Sequence, residues 1–108
     1  MGITKSDIFT NEQNEIARIA KVIGHPARVA ILQHIIKINS CICGDLVEEI
    51  GLAQATISQH LRELKNIEII KGTIEGTKVC YCINQEKWKE IKNIFNLFLN
   101  QNKKNNCC

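Results

Sequence analysis

Six cysteines stand in three close pairs: Cys41 with Cys43, Cys80 with Cys82, and Cys107 with Cys108. Chance scatter through 108 residues seldom produces two C-x-C pairs and a C-C pair. Sulfur donors in such pairs suit soft-metal or redox chemistry. In an extended segment side chains repeat every two residues, so each C-x-C pair places both sulfurs on one face. Packing as small buried hydrophobes is the alternative use of such residues. The N-terminal stretch MGITKSDIFTNEQNE has no apolar core of a secretory signal. The expectation is therefore a cytoplasmic protein whose cysteines are thiols rather than a disulfide framework. No C-x-x-C at a helix start, phosphate-type loop, Ser/His/Asp set or carboxylate pair accompanies them, so an enzyme is not expected.

A second set of chemically useful residues lies between Gly44 and Lys65. Leu46, Val47 and Ile50 recur at helical spacing, with Glu48 and Glu49 left for water, and Gly51 interrupts the pattern. Beyond it Ile57, Leu61 and Leu64 form an apolar stripe, opposed by Gln54, Ser58, Gln59, Arg62 and Lys65. Two short helices joined by a glycine turn, the second polar on its outer side, make a helix-turn-helix. Its polar face can hydrogen-bond base edges and phosphates in a DNA major groove. A plain helical hairpin with a solvated face fits the same pattern. The formal charge of +3 permits a nucleic-acid partner without demanding one.

Several elements must hold these two sets in place. Residues 1–10 read as a flexible arm, 11–100 as one domain, and 101–108 as a mobile tail carrying Cys107 and Cys108. Asn11 is the expected N-cap of a first helix carrying Ile16, Ile19, Ala20 and Ile23. Gly24 suits its C-terminal end and Pro26 the first turn of the next helix, with His25 structural at the break. That second helix, about Ala27 to Ile38, presents Val29, Ile31, Leu32, Ile35 and Ile36 for burial, with His34 on its surface or satisfied in the core. Asp45 falls in the first turn of the third helix, where a carboxylate suits the helix dipole.

After Lys65 two strand-like runs surround Gly72 and Gly76 and predict a hairpin. Lys71 and Lys78 flank it and could meet phosphate, although Glu75 sits at the tip. From Glu86 to about Asn100 runs a last helix crowded with Trp88, Ile91, Ile94, Phe95, Leu97, Phe98 and Leu99. So much apolar surface on a small domain calls for a second copy of the chain. No apolar run approaches the length of a membrane span. The expected fold is mainly α with a small β-hairpin.

This order of elements, together with His25-Pro26-Ala27-Arg28, Cys43-Gly44-Asp45-Leu46 and the run from Leu52 to Leu61, resembles the ArsR–SmtB family of winged-helix repressors. The resemblance runs from about Asn14 to Leu99. It implies a homodimer built through the first and last helices, bound to double-stranded operator DNA and released by a metal or metalloid. The matching recognition-helix positions are Gln54, Ala55, Thr56, Ser58, Gln59, His60 and Arg62, with Ala55 replacing a more usual serine. Lys65, Lys71 and Lys78 complete the expected DNA-contacting set.

Arsenic-type members hold trivalent arsenic on cysteine thiolates near the start of the helix-turn-helix, since a thiophilic centre wants about three sulfurs. Cysteine at a helix N-terminus also favours the thiolate. Their usual cysteines would fall on Ile42, Gly44 and Val47 of this chain, so the familiar tripod is absent. In winged helices the segment before the helix-turn-helix pairs with the second hairpin strand. That pairing would set Cys41 and Cys43 beside Cys80 and Cys82 as a site of three or four thiolates, with Cys107 and Cys108 in reserve. The expected inducer is As(III), with Sb(III), cadmium, zinc or lead as alternatives and no organic cofactor. Zinc-type members carry Asp, His and Glu ligands on the last helix, which here has no histidine. A thiol-oxidation switch would need Cys41–Cys43 or Cys107–Cys108 to close small strained rings.

Overall fold

The computed structural model describes residues 7–102 apart from Cys43, Asp45 and Thr77, with backbone alone at positions 75 and 78. Among the described residues, five helices and one hairpin follow in the order α1 (Asn11–Ile23), α2 (Pro26–Ile38), α3 (Leu46–Ile50), α4 (Gln54–Asn66), β1 (Ile70–Glu75), β2 (Lys78–Ile83) and α5 (Gln85–Leu99). The readings of Asp45 as a first-turn carboxylate and of residues 103–108 as a tail lie outside the described residues.

Thr10, not Asn11, caps α1. Its hydroxyl accepts from the Gln13 amide at 3.0 Å while the Gln13 side chain accepts from the Thr10 amide at 3.0 Å. This is the reciprocal box that Thr-x-x-Gln encodes, and a lone Asn at the next position cannot match it. Gly24 ends the helix for a reason of space rather than of handedness. Its φ is −78°, and an added Cβ would stand 2.8 Å from the Ala20 carbonyl oxygen. Pro26 opens α2, with the His25 ring nitrogen Nδ1 accepting from the Ala27 amide at 3.1 Å. Asn39 closes α2 in the left-handed region, φ 57°, where asparagine is tolerated better than most residues.

Gly51 sits between α3 and α4 at φ +81°, a conformation that costs a β-carbon dearly. The core gathers Ile19 of α1, Ile31 and Ile35 of α2, Ile57 and Leu64 of α4, Ile69, and Ile70 of β1, each almost free of solvent. The stripe expected on α4 is buried as spaced. On α2 the face is narrower than expected: Val29 and Ile36 stay exposed, because α1, α3, α4 and β2 pack on the side that carries Ile31, Leu32 and Ile35.

β1 and β2 pair antiparallel from Ile70 opposite Ile83 to Glu75 opposite Lys78, with Gly76 at φ +64° in the turn. A third piece of backbone joins this ladder. Ile42 and Tyr81 exchange both amide-to-carbonyl hydrogen bonds at 2.9 Å, so β2 lies between β1 and the segment entering α3. On α5 only Ile91 is buried; Leu97, Phe98 and Leu99 are exposed, Leu97 at 68%.

Candidate functional site

The outer side of α4 and the chain entering α3 form two neighbouring chemical surfaces. Helical periodicity drives Ile57, Leu61 and Leu64 inward, so Gln54, Ala55, Thr56, Gln59, Arg62 and Lys65 are turned to solvent and Ser58 lies half-buried. These polar groups are held in line along the helix. Gln54 donates to the Ser58 hydroxyl at 3.1 Å, and Arg62 donates to the Gln59 side-chain oxygen at 3.2 Å. Ala53 gives α4 no side-chain cap, leaving first-turn amides at the start of the same face for an anionic partner. Lys71 is exposed on β1, while the side chain of Lys78 lies outside the described structure.

His60 departs from the expected set. It is only 7% exposed and turns toward α2, where its Nδ1 accepts from Arg28 Nε at 3.1 Å. Arg28 also donates to the Val22 carbonyl at 3.0 Å, and the His25 ring lies 4.5 Å from the His60 ring. One guanidinium thus ties the end of α1, the start of α2 and the middle of α4. Burial first, then the nearby charges of His25 and Arg28, hold the His60 pKa below its ordinary value. A neutral imidazole is what the geometry needs, since a protonated Nδ1 could not accept from Arg28. The HPAR motif signalled the helix break but gave no hint of this tie, because its partner lies 32 residues away.

The expected pairing of the cysteine segment with β2 is present. In an antiparallel ladder the neighbours of a doubly hydrogen-bonded pair such as Ile42–Tyr81 approach to about 4.5 Å between Cα atoms. Cys41 and Cys82 occupy that neighbouring position, 4.4 Å apart, and are joined as a disulfide, so the expectation of thiols rather than disulfides fails for this pair. Cys80, on the same face of β2 as Cys82, is fully buried and also engaged rather than free. Cys43, Cys107 and Cys108 lie outside the described residues. Among the described residues no three His, Cys, Asp or Glu side chains converge as a metal cluster. The reading of oxidation through small rings misses the structure's own pairing, which closes across 41 residues of sequence between the two segments expected to adjoin. Beside the pair opens a cavity of about 290 Å³, lined by Asn39, Ser40, Gln85, Ile83 and Trp88 as well as both sulfurs. Nothing in the cysteine spacing announced it.

A recognition helix with an exposed polar face, a preceding short helix across a glycine turn, and a following hairpin define a winged helix-turn-helix DNA-binding protein. A family model described as "Bacterial regulatory protein, arsR family" matches residues 25–71. An uncharacterized HTH-type transcriptional regulator of Methanocaldococcus jannaschii is 40% identical over 76 residues, covering 69% of this chain and 84% of that protein. The cadmium resistance transcriptional regulatory protein CadC homolog of Staphylococcus aureus is 32% identical, covering 81% and 72%. The arsenical resistance operon repressor of Staphylococcus xylosus is 33% identical, covering 67% and 68%. In fold, the chain matches the homodimeric winged helix-turn-helix domain Mb0332 of Mycobacterium bovis with a TM-score of 0.65 at 16% identity, over 100% and 98% of the two chains. The chain belongs to the ArsR family of bacterial regulatory proteins: it is a DNA-binding transcriptional repressor and not an enzyme. Among the described residues no helix is long and apolar enough to cross a membrane.

Proposed function

We propose that this repressor binds double-stranded operator DNA as a homodimer and releases it when a thiophilic ion, trivalent arsenic first, binds the thiolates around Cys41 and Cys82. The observation that carries the reading is the apposition of those two cysteines. It joins the segment entering the helix-turn-helix to the wing strand, so a ligand there bears on both DNA-facing elements. In their reduced state Cys41 and Cys82 supply two adjacent sulfurs, Cys80 lies two residues along the same strand face, and Cys43 adds a further thiol on its place in the sequence. Donors of sulfur favour a soft centre over a hard one. Two relatives carry arsenical and cadmium resistance in their names, which agrees with that chemistry. Antimony(III), cadmium, zinc and lead follow arsenic as candidate inducers.

Gln54, Ala55, Thr56, Ser58, Gln59 and Arg62 form the groove-facing set, with Lys65, Lys71 and Lys78 toward phosphate. His60 positions α4 from behind and is not a contact. The dimer forms through α1 and α5, where Leu97, Phe98 and Leu99 are exposed and an apolar cavity of about 400 Å³ opens between Ile23, Trp88, Ile91 and Phe95. The test is a titration of the reduced full-length protein onto its upstream DNA, with arsenite, antimonite, cadmium or zinc added in turn. Release by arsenite, lost in Cys41→Ser and Cys82→Ser, is the expected result. Unchanged release from both variants would remove these cysteines from the site, and no DNA binding at all would overturn the reading.

A further inference from the structure

We infer that Cys41 and Cys82 are a reversible redox latch, and that closing it leaves the repressor on DNA while making it blind to metal. Their Cα separation of 4.4 Å, reached with the disulfide closed, is the spacing that an ordinary antiparallel ladder gives this position without any cross-link. The Ile42–Tyr81 hydrogen bonds that set the spacing are intact. Closing the bond therefore asks for no movement of the wing or of the helix-turn-helix. What oxidation changes is chemical: two thiolates become a disulfide and stop being donors. Because the pair spans separate elements, it also avoids the strained rings of adjacent cysteines.

Access is built in from one side. Cys41 is exposed, Cys82 is half-buried, and both border the 290 Å³ cavity whose polar lining is Asn39, Ser40 and Gln85. A peroxide of hydrogen-peroxide size enters there. The Cys41 thiolate attacks one peroxide oxygen, forming an S–O bond as the O–O bond breaks and hydroxide leaves. The Cys82 thiolate then attacks the Cys41 sulfur, forming the S–S bond as the S–O bond breaks and a second hydroxide leaves. The two thiols lose two protons and two electrons, and the peroxide becomes two waters. A small dithiol returns the electrons and reopens the pair.

The latch itself stands apart from the proposed inducer; only its consequence for metal sensing rests on that reading. The experiment uses full-length protein carrying Cys107→Ser and Cys108→Ser, reduced without oxygen or treated with hydrogen peroxide. Peptide mapping without reductant reads the cross-link, operator titration reads DNA affinity, and the ultraviolet sulfur-to-metal absorption of added cadmium reads the donors. The oxidised protein is expected to show a Cys41–Cys82 peptide and a DNA dissociation constant within about threefold of the reduced form. It should lose the cadmium absorption and all arsenite release, and dithiothreitol should restore both. Cys82→Ala should form no such peptide and keep its DNA affinity through peroxide treatment. Tenfold weaker DNA binding on oxidation, Cys41 or Cys82 cross-linked to any other cysteine, or metal response surviving in the latched form would each overturn the inference. If the reduced protein ignores every metal, the proposed inducer fails, and the mapping and DNA titration still decide the latch.

Discussion

Replacing Arg28 with methionine tests how the recognition helix is held. The guanidinium donates to His60 Nδ1 at 3.1 Å and to the Val22 carbonyl at 3.0 Å, both partly buried, while its stem packs at the junction of α1, α2 and α4. Methionine keeps much of the stem's volume and removes both donors. Hydrogen bonds from a charged donor contribute roughly 1.5–3 kcal/mol each, and water reaching the partly buried acceptors recovers some of that. The expected loss is about 2–3 kcal/mol in all, or on the order of 10–20 °C in Tm for a domain this small. Urea unfolding of the reduced protein measures it directly. A double-mutant cycle with His60→Phe, which keeps a ring and drops the acceptor, should return a coupling of about 1 kcal/mol. Loss of the tie also frees α4 to tilt, so operator affinity should fall further than the loss of one cation predicts. A destabilisation under about 0.5 kcal/mol, or a coupling of zero, would refute the claim that Arg28 fastens α4.

Three further outcomes follow from the same geometry. His60 has a folded-state pKa below its unfolded value, so the unfolded chain binds more protons; stability should be full above about pH 6.5 and fall as the pH drops below it. His60→Phe should flatten that slope in urea unfolding measured from pH 7.5 to 5. Gly51→Ala places a β-carbon at φ +81° with open space around it, so strain alone acts; the expected cost is about 1 kcal/mol by thermal unfolding, against a larger cost for Gly24→Ala, whose Cβ would press on the Ala20 carbonyl. Leu97→Asp with Phe98→Asp should abolish the proposed dimer in light scattering after gel filtration, while circular dichroism stays unchanged, because neither residue belongs to the buried core.

Local signals carried much of this protein in the sequence. Helical spacing marked α1, α2, α4 and α5, and the glycines marked the turns. The inward stripe of Ile57, Leu61 and Leu64 fixed by subtraction which residues of α4 meet solvent. These features depend on neighbours three or four positions apart, so a linear reading reaches them. Thr10 was legible too, through Thr-x-x-Gln, although Asn11 drew the reading one position too far.

What only the tertiary structure decided involves residues distant in sequence and fixed by register or packing. His60 stands three residues after Ile57 and four before Leu64, so helical spacing sets it on the inward stripe, while its polarity drew it into the expected contact set. What the tertiary structure adds is the partner that makes its burial tolerable: Arg28 donates to its Nδ1, and the His25 ring packs beside it. Val29 and Ile36 are as apolar as Ile31, yet they are exposed because the elements packed on α2 cover only its other side. The cysteines divide in the same way. Their spacing announced sulfur chemistry, and the pairing of residue 42 with residue 81 chose the partner of Cys41. A strand register is set by backbone hydrogen bonds between segments far apart in the chain, and a shift of one residue would have turned Cys82 to the other face.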